Sequence, residues 1–492
     1  MRILNKLARC SLFGCFVLTV GCEALQPGGV PSSSSRVPQT IGPEQTDQMT
    51  GPAGITKASF QTPIQPRAPV PGLDDGAPAF AGASELAVDA LVERVLSQNP
   101  TLPQMVAAWQ AASAKIPQVT SLEDPFFGTT VAPASIGSNQ VDFGYRLEIS
   151  QKLPWPGKLG LRGANASAEA NAAGNDIDDM RLQLIEAARM AFYDYYLVYR
   201  ALEVNQEGLE LLAAIRKAVE ARFKPGLADT QEIYQVDVEI GRQRERKLLL
   251  ERLRQVAVAR LDTLMHLSPD LPLPPPPKEV NVDGELPEAA PLRAAALARR
   301  PDLLAATNRI AAEEASLGLA NREYYPDFDV MAAYDTIMGN GPSRDLAPQL
   351  AVRLNLPVRC TRRFAAVSEA QARIAQRRAE LARLTDQVNY DVQQAYEQVR
   401  EAERVVRLYE KEVLPAARNN VRAAQAAYVP GKIPLIALIE AQRNSVNLQD
   451  RYYEAIADYF RRLTTLERAA GGSLSPLPAS APGQPSNPQK PR

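Results

Sequence analysis

Histidine is almost missing from this chain of 492 residues; His266 stands alone among Leu264, Met265 and Leu267. Triad chemistry would have to pass through that one imidazole, and no His and Cys share metal-ligand spacing. In such an apolar setting the side chain reads as structural. Cysteine is nearly as scarce. If the basic, apolar head is cut before Cys22, only Cys360 remains beside it, so no disulfide framework is available. A net charge of −1 leaves no electrostatic footprint for nucleic acid. No apolar run reaches the roughly 18 residues of a membrane-spanning helix. Gly157, Gly160 and Gly163 lie near Lys158 but not in the order of a phosphate-binding loop. Together these absences leave no enzyme signature, no cofactor site and no metal site.

Proline is plentiful, and it recurs at a nearly constant offset. Pro100 pairs with Pro301, Pro125 with Pro326, Pro154 with Pro357 and Pro225 with Pro430, at separations of 201, 201, 203 and 205 residues. The first pair follows a polar turn in a helical stretch, the second opens an extended run, the third closes one, and the fourth ends a long helix. The chain therefore holds two copies of one helix–strand–strand–helix–helix unit, a duplication that governs every local reading.

The strands of that unit are two-faced. Val141, Phe143, Tyr145, Leu147 and Ile149 alternate with Asp142, Gly144, Arg146, Glu148 and Ser150. Successive strand side chains point to opposite faces, so one face is apolar and the other charged. Phe328, Val330, Ala332 and Tyr334 repeat the pattern, as do Leu350, Val352, Leu354 and Leu356; the run around Phe127–Pro133 is less regular. A half-buried hairpin on a soluble core would show the same alternation. The clean strands, however, run about ten residues, the length that crosses a tilted bilayer path. Aromatic residues gather in these segments although they form 6% of the chain, as they do at membrane interfaces. The hairpin tips at 137–139 and 339–345 are polar. Four strands cannot close a barrel, and open edges are not tolerated in lipid, so a spanning role requires several chains to pool their strands.

From Gly157 to Lys224 there is no proline, and Leu184, Ala188, Phe192, Tyr195 and Tyr199 step by threes and fours. In the second copy Leu381, Leu384, Val388, Val392, Ala395, Val399, Ala402, Val406 and Tyr409 form a coiled-coil-like seam. A helix of about 66 residues rises roughly 100 Å, more than a compact domain needs. Gly160, Gly163 and Gly174 are expected to weaken the first long helix near its start, and Pro415 to kink the second. Pro225-Gly226 and Pro430-Gly431 read as reversals into return helices over 229–267 and 434–469. Shorter helices are expected at 84–117 and 289–321.

The ends divide the chain further. Residues 1–21 read as a secretory signal, and Thr19-Val20-Gly21-Cys22 resembles a lipobox with Cys22 as the acylated first residue. Residues 22–83 form a Pro/Ser-rich linker expected to be disordered, 84–270 the first repeat, 271–288 a stiff Pro-rich connector, 289–470 the second repeat, and 471–492 a Pro-rich tail.

In order, spacing and duplication, residues 84 to 470 resemble the TolC family of outer-membrane efflux proteins. Gln151-Lys-Leu-Pro154-Trp155-Pro156-Gly157-Lys158 is similar to the strand-to-helix junction of its heavy-metal and cation branch. Leu356-Pro357 marks the second junction, where Arg359-Cys360-Thr361 departs from the family's glycine-containing turn. Leu414-Pro415-Ala416 and Tyr428-Val429-Pro430-Gly431 resemble a segment of the second repeat. The resemblance implies a mainly α fold with a small transmembrane β part: a homotrimer forming a 12-stranded outer-membrane β-barrel continuous with a periplasmic α-helical barrel. It implies a passive exit duct working with a periplasmic adaptor and an inner-membrane pump of the resistance–nodulation–division type. It also implies adaptor contacts at Pro225, Gly226, Asp229, Pro430 and Gly431, and a periplasmic aperture near Glu440, where a second acidic position holds Ala437. A protein-secretion duct shares this fold. A soluble periplasmic coiled-coil adaptor is a third reading, but it would lack duplicated strand pairs of lipid length.

Overall fold

The computed structural model describes residues 80, 82–131, 143–224, 229–282, 286–338 and 348–474. The first copy runs α1 (Val88–Gln98), α2 (Thr101–Thr120), β1 (Phe126–Val131), β2 (Phe143–Leu153), α3 (Lys158–Phe223) and α4 (Thr230–Leu264). The second runs α5 (Ala289–Arg299), α6 (Pro301–Arg322), β3 (Phe328–Met338), β4 (Gln349–Leu354), α7 (Cys360–Leu408), α8 (Leu414–Tyr428) and α9 (Leu435–Ala469). The duplicated unit is thus present in both halves.

Each shorter helical stretch proves to be two helices rather than one. The breaks fall at Asn99-Pro100 and Arg300-Pro301, where ψ is 124° and 123°. Proline disfavours helical geometry in the residue before it, and both copies obey in the same way. The expected weakening of the first long helix is not observed; α3 is continuous for 66 residues. Gly163 instead admits a neighbour, because a Cβ there would meet Thr120 Cγ2 of α2 at 2.6 Å. The Pro415 disturbance takes the form of a π-helical segment, Tyr409–Val413, whose wider turn absorbs the hydrogen bond that proline cannot donate. The hairpin tips at 137–139 and 339–345, and Pro225-Gly226, lie outside the described residues.

The four strands form one antiparallel sheet in the order β1-β2-β3-β4. Its centre is the pairing of β2 with β3, which joins the two copies over their full 11-residue length. Opposed residues share a face. Phe127 faces Ile149, Leu147 faces Tyr334, and Val330 faces Val352, so the apolar rows of all four strands merge into one surface. Among the described residues nothing covers that surface: Leu350 is 84% and Val352 63% exposed. The opposite face carries Arg146 with Glu148 (3.4 Å) and Arg353 with Asp329 (3.8 Å), around buried Met331 and Ala333. β1 and β4 are the edges.

Below the sheet the helices share three apolar clusters. α1 and the C-terminal end of α4 pack on α3 around Leu91, Phe192, Tyr195 and Leu261. Val388, Val392, Ala395, Val399, Ala402 and Val406 of α7 are all buried with Ile456 and Tyr459 of α9, as the seam predicts. The third cluster lies at the helix reversal, with Leu212, Val219, Val236, Tyr428 and Leu438. The connector after α4 is tied to α3, since Tyr195 donates to Pro274 O (3.0 Å) and Arg200 to Lys278 O (3.4 Å). His266 takes a positive φ of 59° at the α4 terminus, with Leu267 N–H donating to Asp262 O (2.8 Å). It is a left-handed C-cap position of the kind glycine usually fills.

Asp262 beside it is fully buried, and neither carboxyl oxygen has a hydrogen-bond partner among the described residues. Burial pushes it up to about 7; the Leu271 amide, which donates to Ser268 O (3.4 Å), opposes this only in part, and Asp270 adds to it. The unfolded chain ionises this group near the ordinary aspartate value of about 3.9, whereas the folded chain keeps its proton to about 7. Stability is therefore present at low pH and falls as pH rises from about 4 to 7, by up to about 4 kcal/mol. Thermal unfolding of wild type against Asp262→Asn should show that loss in the wild type alone; parallel pH profiles would contradict it.

Candidate functional site

Two places combine predicted residues with well-defined geometry: the elbows where strands become helices, and the reversal at the far helix ends. In the first elbow Trp155 stacks on Tyr325 and Phe328, with ring centroids 5.1 and 5.6 Å apart. Its backbone N–H donates to Asp327 Oδ1 (2.9 Å), which also accepts from Lys158 Nζ (2.8 Å). Lys158 is buried and donates further to Tyr325 O (3.3 Å). Arg322 donates to Pro156 O (2.6 Å) and lies against Gly157, whose φ is 87°. Pro154, Trp155, Pro156 and Gly157 thus form a braced corner between β2 and α3, held by the segment that leads into β3. Desolvation opposes ionisation of Asp327, but hydrogen bonds from Lys158 and the Trp155 amide outweigh it and hold the carboxyl below the usual range.

The second elbow is built differently. Pro357 follows exposed Leu356, and tight bonds from Val358 N–H to Leu356 O (2.9 Å) and from Cys360 N–H to Val358 O (3.1 Å) lead directly into α7. It has no counterpart to Trp155 or Lys158.

At the reversal between α8 and α9, Gly431 has φ 80°, with its N–H donating to Tyr428 O (2.9 Å) and Lys432 N–H donating to Ala427 O (3.0 Å). Arg222, at the end of α3, donates to Tyr428 O (2.7 Å) and lies 4.5 Å from the centre of its ring. A Cβ on residue 431 would meet that guanidinium at 3.2 Å, so both backbone and space ask for glycine. Tyr428 is buried and donates to Glu232 Oε2 (2.6 Å) on α4. Burial first, then that hydrogen bond, pushes its hydroxyl up to about 12. Exposed Pro430 lies at the turn. Asp229 is exposed and immediately precedes α4. The ends of α3 and α4 that flank the first predicted tip are therefore tied to Tyr428, beside the second, through Arg222 and Glu232.

Glu440 is exposed on α9 and lines, with Ala437, Ala424 and Asn420, an open hollow of about 550 Å³ beside α8. The other flank of α9 carries ion pairs that the sequence did not disclose. Arg443 grips buried Glu239 of α4 through Nη2 (2.7 Å) and Nε (3.2 Å), with Arg242 a third contact (3.3 Å). One heptad further on, Arg246 of α4 pairs with Asp450 of α9. Both pairs span 204 residues with reversed polarity, so α4 and α9 run parallel in the register of the duplication itself. Burial opposes the charge on Glu239, but Arg443 and Arg242 prevail and hold it below the usual glutamate range. Burial prevails at Asp450 and raises it. Among the described residues no three His, Cys, Asp or Glu side chains gather as a metal site, and no helix is long and apolar enough to cross a membrane.

Residues 91–265 and 292–472, one span in each copy, match the family described as outer membrane efflux protein. The chain belongs to that family. No curated protein sequence matches it. The fold is similar to that of CusC, at 17% identity and a TM-score of 0.68 over 81% of this chain and 97% of that one. It is also similar to the outer membrane protein VceC of Vibrio cholerae (18% identity, TM-score 0.67, 78% and 96% of the two chains). The open-state MtrE outer membrane channel of Neisseria gonorrhoeae matches likewise (18% identity, TM-score 0.66, 78% and 89%). At these identities the likeness speaks for the fold alone. For a member of the outer membrane efflux family, the exposed apolar sheet face has a natural solvent in lipid.

Because the folded pKa of Glu239 is depressed, its pair contributes stability above about pH 4 and loses it as pH falls through the folded value. The protection factors of the 230–240 and 436–446 amides, with the intrinsic pH dependence of exchange divided out, should fall about tenfold on that acidification, the equivalent of one charge-assisted hydrogen bond. Glu239→Gln should show the lower protection at every pH. A variant as protected as wild type at neutral pH would contradict this account of the pair.

Proposed function

We propose that this chain is the outer-membrane exit duct of a tripartite efflux system, passively conducting small molecules or metal ions delivered by an inner-membrane pump through a periplasmic adaptor. The observation that carries this reading is the sheet. Two 11-residue strands pair along their whole length, and among the described residues nothing covers their apolar rows or pairs with the two sheet edges. Three chains supply twelve strands and close one barrel, with lipid against the outward rows. The α3 rod, roughly 100 Å long by its residue count, carries the conduit into the periplasm. Repeats over 84–270 and 289–470 supply the two hairpins, and the braced elbows at Pro154–Gly157 and Pro357 carry each strand pair into its helices. Cys22 anchors the mature chain in lipid ahead of the 22–83 linker.

In this reading the adaptor caps the reversals, at Asp229, Pro430 and Gly431 with Pro225 and Gly226. The likeness of the first elbow to the heavy-metal and cation branch favours a pump of the resistance–nodulation–division type and cationic or drug-like cargo. Three copies of Glu440 around a common axis repel one another at short range and attract cations, which makes them a candidate aperture.

The protein should fractionate with the outer membrane and run as heat-dissociable trimers on gels; a soluble periplasmic monomer would overturn the duct. In planar bilayers, Glu440→Ala should lower cation selectivity and raise the resting conductance. Unchanged values for both would remove Glu440 from the aperture.

A further inference from the structure

We infer that the second elbow, Leu356 to Phe364, is a binding site for anionic phospholipid headgroups at the periplasmic leaflet of the outer membrane. The inference rests on the duct reading and adds a lipid partner to it. Leu350, Val352 and Leu354 form the outward row of β4, and the same alternation continues past the strand through Leu356 (71% exposed) and Val358 (78%). Phe364, at the start of the second turn of α7, is 68% exposed. This apolar strip runs beyond the paired part of the sheet, where the chain leaves the bilayer. Exposed Arg359 and Arg362 lie within it, with no ion-pair or side-chain hydrogen-bond partner among the described residues. Arg363, by contrast, is engaged in the fold, donating from Nε to Glu323 O (2.6 Å).

The duplication supplies the control. At the offset of 203 residues set by Pro154 and Pro357, Trp155 corresponds to Val358 and Lys158 to Thr361. The first elbow turns its aromatic ring and its cation inward, onto Tyr325 and Asp327. The second presents bulky apolar side chains and guanidinium groups outward. A partner that meets both must offer acyl chains and phosphate at one boundary, and the planar guanidinium fork matches phosphate oxygens. A second copy of the chain is a less suitable occupant. Copies join at the β4 edge through backbone hydrogen bonds, whereas this strip continues the face of the sheet, which lipid covers.

The test uses the full-length protein, reconstituted into phosphatidylcholine vesicles with or without phosphatidylglycerol, with insertion scored by protease protection. Lipid retained on the extracted oligomer is then counted by native mass spectrometry. Wild type should retain phosphatidylglycerol over phosphatidylcholine, and Arg359→Gln/Arg362→Gln should retain it about tenfold less while inserting equally, given what a juxtamembrane basic residue contributes. Equal retention by inserted wild type and variant would overturn the lipid site and leave the duct intact. Variant oligomers that dissociate in lipid-free detergent would assign the arginines to a second copy and overturn it too. A wild type that never inserts removes the duct reading, and the lipid site with it.

Discussion

An unpaired strand edge is the constraint on which the rest of this structure depends. β1 and β4 each turn one backbone edge away from the sheet, with no further strand paired to it among the described residues. Water can satisfy such an edge; hydrocarbon cannot, and each unmet group there costs several kcal/mol. One face of the same sheet is apolar and uncovered among the described residues, which suits hydrocarbon and not water. Both conditions are met only when the sheet continues into other copies and curves until no edge remains. Assembly is then a condition of insertion rather than an elaboration of it.

That condition explains how the helical part is arranged. A shared barrel needs each chain to deliver its hairpins at a fixed angle to the rods beneath. The Trp155–Asp327–Lys158 corner supplies this, because it ties the end of β2 and the start of α3 to the residues that begin β3. At the opposite end, Arg222 and Tyr428 cross-tie the two reversals, and the Glu239–Arg443 and Arg246–Asp450 pairs hold α4 and α9 parallel. Buried ion pairs contribute little net stability against apolar packing, but they discriminate strongly against slipped register. Opposite polarities one heptad apart disfavour any shift of one helix along the other.

The sequence made much of this legible, and for identifiable reasons. Strict alternation through 143–149 and 350–354 has one structural meaning, and the Val388–Val406 seam has another, so both were readable without tertiary context. The breaks at Pro100 and Pro301 were missed, although proline's effect on the residue before it is local and sets Asn99 and Arg300 to the same geometry. Gly163 of α3 misled, since it admits Thr120 of α2, and only packing reveals that. Asp262 and the Asp327 brace were hidden because burial is not a property of sequence. The Glu239–Arg443 pair was hidden as well, yet its 204-residue spacing falls within the 201–205 range of the proline echo. Treating the duplication as a statement about spatial neighbours would have placed α4 beside α9.

The central claim is that β1 of one chain completes its hydrogen bonding on β4 of another. It can be tested with two differently tagged chains produced together, one carrying Thr129→Cys on β1 and the other Leu350→Cys on β4, both with Cys360→Ser to remove the native thiol. A short bis-maleimide applied to intact outer membranes should yield a covalent dimer bearing both tags. It should do so only when both cysteines are present. Absence of that cross-link, with both chains present and both thiols reactive to a monofunctional maleimide, would mean that the edges are satisfied in some other way and would contradict the account.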